Sequence, residues 1–503
     1  MSEPAVATGS ATGDPTHDRR RWITLAVLLL GQFMGLLDVF IVNVAMPAIG
    51  HTLHASGASL QLVVGGYTIA YAMLLITGAR LGDLYGRRRM YLVGAVVFTA
   101  ASLVCGFAPT IYVLIIFRFI QGAGAAVMVP QIISVIQVQF TGRARATALS
   151  VYAVVLSTGQ VIGVLLGGVL VSANLLGASW RPVFLINVPL GFCLTLLVPR
   201  YVPADTPRAT RRLDITGLTI AVSSVFLIVL PLILGHEGRW PTWTFISIAV
   251  GLLLAVFFVL AERRVAARNG DPLLILDVLR SPGIASGITT LFCMTMTYGG
   301  LLFVFTLHLQ SGLGNSALHT GLTYLPFSAA TGLAAYYWRK LPDRMQNVIS
   351  PIGMTMCAVG YFGIAVAMHG AANGNPLMWA ALVVTGAGQG LVLSPVLAQA
   401  LIRVPPAKAA DASGILTTTL QLGQVVGVAV FGTVFLSAAQ HAGSSLAAIT
   451  PHSSASALFT TLAYGLAVLA VVGIVAASVL SSTVLRAKRL TADKEVTGRP
   501  GTR

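Results

Sequence analysis

The chain has 503 residues, of which 56% are hydrophobic and only 9% charged, and its formal net charge is +16. Soluble domains carry about a quarter charged residues, so this composition excludes a soluble enzyme or signalling domain as the bulk of the chain. It implies a protein built in lipid.

Residues 1–21 are polar, rich in small residues and lack the apolar core of a signal peptide, and they read as a disordered cytoplasmic tail. Beyond them, apolar runs recur at 22–46, 60–79, 90–108, 110–137, 146–172, 182–200, 214–235, 242–262, 284–309, 318–338, 347–368, 377–402, 412–437 and 456–481. Each fits the requirement of about 20 residues to cross roughly 30 Å of hydrocarbon. These fourteen runs bring the basic tail at 482–503 back to the side of the N-terminus. With that side cytoplasmic, 28 of the 31 Lys and Arg lie there or in the tails; Arg181 and Arg239 fall in outward loops and Arg118 inside a run. That is the positive-inside pattern, and it accounts for the charge without a nucleic-acid partner.

The first run holds Leu36-Leu-Asp-Val-Phe-Ile-Val-Asn-Val-Ala-Met-Pro47, with Asp38 as an acid inside the span. Between the second and third runs stands Gly78-Ala-Arg-Leu-Gly-Asp-Leu-Tyr-Gly-Arg-Arg-Arg89. Gly82 and Gly86 allow a sharp reversal there, and the cluster with Arg87 and Arg88 holds it on the cytoplasmic side. Asp83 can pair with those arginines or face the positive N-terminus of a neighbouring helix. The fourth run carries Arg118-Phe-Ile-Gln-Gly-Ala-Gly124. At 1.5 Å per residue, Asp38 lies roughly 14 Å and Arg118 roughly 12 Å below the same outer surface, so the two share a depth. Ionisable groups inside a membrane are functional candidates by default, though a static pair that fixes helix packing satisfies the same pattern.

In the fifth run Gly159, Gly163, Gly167 and Gly168 form a stripe that lets another helix approach closely. The start of the sixth reads Trp180-Arg-Pro-Val-Phe-Leu-Ile-Asn-Val-Pro-Leu-Gly191, and Asn187 is expected to make no more than a helix hydrogen bond. A short linker over 203–212 leads to Asp214, the expected N-cap of the seventh run. The turn 235–243 carries two tryptophans suited to the interface. Four cysteines, Cys105, Cys193, Cys293 and Cys357, stand singly, with no spacing for a metal or a disulfide framework.

Two segments repeat at an offset of 264: Gly122-Ala-Gly124 with Gly386-Ala-Gly388, and Gly159-Gln-Val-Ile-Gly-Val164 with Gly423-Gln-Val-Val-Gly-Val428. Arg80-Leu-Gly-Asp83 is echoed more weakly by Lys340-Leu-Pro-Asp343. A shift of eight runs within fourteen implies two six-helix halves, 22–200 and 271–481, around a linker and inserted pair at 201–270. By the same offset Arg118 falls opposite Leu382, and Asp38 approximately opposite Leu302.

These motifs resemble those of the major facilitator superfamily. The loop 78–89 is similar to its cytoplasmic signature, and the segments around Asp38, Arg118 and Trp180 resemble the fourteen-helix drug:proton antiporter branch. The resemblance implies an all-helical membrane fold of two six-helix bundles plus an inserted pair, with Asp38 and Arg118 facing a central cavity and coupling proton movement to transport. Burial favours a protonated carboxyl and a neighbouring arginine an ionised one, so a change in their separation changes proton affinity. Gly82, Asp83, Gly86, Arg87 and Arg88 would form the conformational gate. Asn43, Gln121, Gln160, Tyr298, Tyr324, Gln389 and Gln424 lie on spans expected near the cavity and are candidate substrate contacts, with interhelical hydrogen bonding as the alternative for each. Met294, Met296 and Phe303 suit a plastic apolar wall. His308, His51 and His54 could titrate near neutrality, with an interfacial place as the plainer role. The chain departs from the family at Val164, where the antiporter motif has proline, and at Pro182, where a bulky residue is usual.

The expected function is export of small amphipathic drugs, antibiotics or metabolites across the cell membrane in exchange for protons. No cofactor beyond the proton gradient is called for: the chain has four lysines, none in a phosphate-binding loop. A related importer of a nutrient and a transport-dead sensor or scaffold are the alternatives. An enzyme is not expected, since no Ser/His or metal-ligand constellation stands in the sequence.

Overall fold

The computed structural model describes residues 15–205, 214–235, 240–268, 284–342, 345, 348–368, 375–402, 409–439 and 450–469. Among them the regular structure is helical throughout, in fourteen long helices. They are α1 Pro15–Thr52, α2 Gly57–Tyr85, α3 Arg87–Gly106, α4 Ile111–Gln139, α5 Gly142–Ala173, α6 Pro182–Tyr201 and α7 Ile215–Leu234. There follow α8 Thr242–Ala267, α9 Ile284–Gly312, α10 Ala317–Tyr337, α11 Ile349–Met368, α12 Pro376–Ile402, α13 Ala409–Ala439 and α14, residues 451–469. Twelve are long and apolar enough to cross a membrane. α10 is not among the twelve: Thr, Tyr, His and Ser interrupt its apolar sequence.

Helix starts follow local chemistry. Ser56, Thr110 and Ser316 each accept a backbone N–H three residues on, capping α2, α4 and α10. Asp214 caps α7 in the same way, accepting from Gly217 N at 2.8 Å. The polar N-terminal segment differs from its expected disorder: from Pro15 it is already helix, continuous with the first span. The linker residues 206–213, the echo position Asp343, the loop residues 236–239 and the tail 482–503 lie outside the described residues.

The two halves repeat one packing scheme. α2 and α3 flank α4 as α10 and α11 flank α12, and α1 packs on α5 as α9 packs on α13. Small residues let these pairs close up: Gly122 abuts the backbone at Tyr67 and Gly386 that at Phe327, while Gly163 abuts Leu37 and Gly427 abuts Met296. The last two contacts correct the alignment of the first helix. Leu37 corresponds to Met296, so Thr297, not Leu302, stands opposite Asp38. The expected register failed because α1 and α9 share no sequence echo, and the offset measured on α4 and α5 does not carry through the intervening loops.

The halves meet along α5–α10 and α2–α13. At the end holding the turns near residues 55 and 314, Gly168 faces the α10 backbone, Ser172 Oγ accepts from Leu318 N at 2.9 Å and Gln310 Nε2 donates to Val44 O at 2.9 Å. The inserted helices form a hairpin, held by Ser224 Oγ donating to Gly251 O at 2.8 Å and Ser247 Oγ to Leu227 O at 2.9 Å. α7 covers the α2–α13 seam: its Val229 and Ile233 cluster with Ala58 and Ile69 of α2 and Val425 and Ala429 of α13. The opposite face of α8, with Phe245, Leu253 and Phe257, is exposed.

Candidate functional site: a buried ion pair in the first half

Asp38 is fully buried near the middle of α1, and Arg118 on α4 is buried with it. Arg118 Nη1 donates to Asp38 Oδ2 and also to Gln121 Oε1 at 2.8 Å, while Nε donates to Val63 O at 2.9 Å. Gln121 Nε2 in turn donates to Asp38 Oδ1 at 2.8 Å. The expectation of equal depth for Asp38 and Arg118 therefore corresponds to direct contact, and the spacing of three between Arg118 and Gln121 puts both on one helix face. Tyr67 and Phe184 lay their rings over the guanidinium, 4.5 and 5.7 Å from its carbon. Such cation–π contacts help hold a desolvated cation.

Asn187 contributes more than the helix hydrogen bond expected of it. Its Nδ2 donates to Asp38 Oδ1 at 3.0 Å and to Ser102 Oγ at 3.0 Å, and Ser102 Oγ donates to Phe184 O at 2.9 Å. Asp38 thus accepts from three side chains on two other helices. A carboxylate has the lone pairs for all of them. Breaking such a pair by removing one partner is costly because it strands a buried charge. An acid, a cation and two amides thus tie α1, α4 and α6 into one buried polar network.

At the loop, Gly86 has φ of +93°, a conformation open chiefly to glycine. Gly82 abuts Gln131 of α4, whose amide donates to Gly78 O at 2.8 Å. Asp83 pairs with Arg87 at 3.2 Å and is exposed. The helix N-terminus is served by a different acid: Asp205 accepts from Arg87 N at 3.0 Å and Arg88 N at 3.4 Å, at the positive start of α3. Arg88 Nη1 adds a bond to Val202 O at 3.3 Å. No spacing rule links residues 205 and 87; the signal available was a lone acid in a basic linker, which reads as solvated.

The candidate substrate contacts separate into groups. Gln160 Nε2 donates to Tyr298 OH at 2.7 Å, a bond from α5 to α9 across the halves, and Tyr298 stacks on Phe327 with centroids 5.7 Å apart. Tyr324 is buried in its own half, donating to Leu302 O at 3.0 Å beside Thr306. Asn43 bonds back to Val39 O at 2.8 Å on its own helix. Gln389 is buried on α12, and the backbone of Gln424 abuts Gly299 of α9. The site residues are therefore not one cluster: Asp38, Arg118 and Gln121 form one group, Gln160 and Tyr298 another. On α5, Gly159, Gly163 and Gly167 face Leu36, Phe40 and Ile41 of α1, whereas Gly168 faces α10. Val164, in place of proline, leaves α5 unbroken, and its carbonyl meets Gly321 of α10. His308 Nδ1 lies 3.1 Å from Ser454 Oγ. Among the described residues no group of three His, Cys, Asp or Glu could hold a metal ion.

Fold and site together define a membrane transporter. Residues 28–428 match the family model described as Major Facilitator Superfamily, and the chain belongs to that family. It is 36% identical over 431 residues to a probable actinorhodin transporter of Streptomyces coelicolor, covering 85% of this chain and 74% of the relative. It is 33% identical over 438 residues to the cephamycin export protein CmcT of Amycolatopsis lactamdurans, covering 86% and 88%. It is 32% identical over 420 residues to the multidrug resistance protein Stp of Mycobacterium tuberculosis, covering 83% and 76%. Among solved structures, a bacterial homologue of the human lysosomal transporter Spinster, inward-facing and occupied, superposes with a TM-score of 0.63 at 15% identity, covering 93% and 97% of the two chains. That likeness shows the fold.

Proposed function

We propose that this transporter is a secondary exporter of small amphipathic drugs, antibiotics or metabolites, driven by protons that enter through Asp38. It works in the cell membrane with both termini in the cytoplasm and needs no cofactor, the proton gradient supplying the energy. The observation that carries the reading is the buried Asp38–Arg118 pair in the first half, whose second-half counterparts Thr297 and Leu382 are uncharged. Three relatives named for antibiotic or drug transport support the substrate class. In this reading the first six helices handle the proton, and Tyr298, Tyr324 and Gln389 of the second half shape an apolar wall that selects the compound.

The test is transport of a panel of lipophilic cations and natural antibiotics in everted membrane vesicles with an imposed pH gradient. Asp38→Asn is expected to abolish gradient-driven accumulation while inserting normally. Uphill transport by a well-inserted Asp38→Asn protein would refute the coupling role.

A further inference from the structure

Arg118, Gln121 and Asn187 all donate to Asp38, yet one acceptor close by has no partner. Asn187 Oδ1 is buried without a hydrogen bond, on the same amide whose Nδ2 donates to Asp38 Oδ1 and Ser102 Oγ. Buried unpaired acceptors are uncommon and call for an explanation. An ionised carboxylate only accepts, whereas a protonated one also donates. A proton arriving on Asp38 therefore needs an acceptor within reach. Arg118 has none to give, and Gln121 Oε1 already accepts from Arg118 Nη1 at 2.8 Å. Among these three donors, Asn187 alone holds a free acceptor that a turn of its own amide would present.

We infer that Asn187 reads the protonation state of Asp38, deepening the proton-coupled reading on which it rests. With Asp38 ionised, the carboxylate holds the amide nitrogen inward. When a hydronium ion gives a proton to Asp38 Oδ1, its O–H bond breaks and water is left as the carboxyl O–H forms, and the hydrogen bond from Asn187 Nδ2 is lost. The amide turns about its terminal torsion, which is broad and roughly two-fold, and Oδ1 takes the place of Nδ2 to accept the new O–H. Ser102 Oγ, which had accepted from Nδ2, now faces an oxygen. Its hydroxyl leaves Phe184 O to donate to the amide. A protonation on α1 is thereby passed to the α3–α6 contact and to Phe184, whose ring lies over the Arg118 guanidinium.

The titratable groups facing Asp38 are Arg118 of α4, Tyr67 of α2 and Cys105 of α3. From α5 come glycines and, farther down α1, Tyr152 at 3.3 Å from Gln32. α6 supplies Asn187, and α9 reaches α1 through Gln310 near its far end. In α10, Tyr324 is occupied by Leu302 O of its own half.

The experiment is infrared difference spectroscopy of the full chain in lipid nanodiscs across a pH titration, with and without asparagine carrying a carbon isotope at the side-chain amide. The carboxyl band lost in Asp38→Asn identifies Asp38, and the amide band lost in Asn187→Ser identifies Asn187. The expected result is a shift of the Asn187 amide band with the same midpoint as the Asp38 carboxyl band. In Asn187→Leu the Asp38 midpoint should move by less than about half a unit, because partners of both protonation states are lost together. A fixed donor would be worth about one to two units, the size of a hydrogen bond to a charged group. A still amide band during Asp38 titration, or a midpoint shift of a full unit or more in Asn187→Leu, overturns the inference and leaves proton coupling standing. Absence of any Asp38 titration overturns both. A moving amide band in a protein whose transport ignores Asp38 overturns only the coupling role.

Discussion

Gly168 offers a direct test of whether the two halves separate at one end of the bundle. It lies on α5 where a Cβ would sit 2.8 Å from Ala317 O and 2.9 Å from Leu318 Cα of α10, against an ordinary contact distance that begins at 3.4 Å. Both obstacles are backbone, so no side chain can swing aside. Gly168→Ala therefore has to push α5 and α10 apart at one end of the bundle, where Ser172 and Leu318 also bond. Overpacking of this kind costs about 1–3 kcal/mol. A value near 2 kcal/mol, felt only while that end is closed, shifts a two-state equilibrium roughly thirtyfold toward the conformation open there. Spin labels at the exposed positions Ala173 and His319, in a background without the four native cysteines, would read this as growth of a longer distance in pulsed electron paramagnetic resonance. Gly163→Ala is the control: its obstacles, Phe40 and Leu37 at 3.0–3.3 Å, belong to α1 in the same half. It should lower thermal stability without moving the distance distribution. An unchanged distribution in a stable Gly168→Ala protein would refute the argument that this contact sets the closed state.

The loop acids should differ in effect. Asp83→Asn removes an exposed pair worth about 0.5 kcal/mol and is expected to slow turnover more than it weakens equilibrium ligand binding; unchanged turnover would reduce the loop to an anchor. Asp205→Ala removes the acceptor at the start of α3, worth about 1 kcal/mol, and faster hydrogen exchange at Arg87 and Arg88 would register the loss. Arg118→Lys keeps the charge but not the guanidinium fork, and proton-driven export should fall at least about tenfold, with full activity refuting a geometric role. Tyr298→Phe cuts the bond from Gln160 and is expected to reorder the compounds exported while leaving proton dependence intact; loss of proton-driven transport for all compounds would contradict the division between the halves.

The fold was legible because lipid allows few solutions: apolar runs of sufficient length, a cationic bias on alternate loops and a repeat offset are enough to lay out the halves. Asp38 and Arg118 were legible for the same reason, since a charge within a span stands out against its surroundings. Asn187 and Asp205 did not stand out. An amide in a helix and an acid in a basic linker are ordinary in composition, and only contacts between residues far apart in the chain, Asn187 with Asp38 and Asp205 with Arg87, give them a part. Gln160 and Tyr298 were legible one by one, as candidates with interhelical hydrogen bonding as the alternative for each, but that they bond to one another across the halves leaves no local mark. The partner of Asp38 across the repeat was misplaced for a related reason: loops of unequal length shift register without leaving a mark in composition.

The position of the inserted hairpin makes the two seams between the halves unequal. Along α2–α13 the joint is roofed by α7, with Thr433 Oγ1 donating to Leu232 O at 3.0 Å and Phe119 meeting Phe226 at 5.9 Å. Along α5–α10 the flanking side chains Ile162, Val169, Leu318 and Leu322 are exposed. Among the described residues, one joint is therefore layered over by a helix and the other is not. An apolar molecule lying against the α5–α10 joint would touch side chains of both halves at once, Ile162 and Val169 of one and Leu318 and Leu322 of the other.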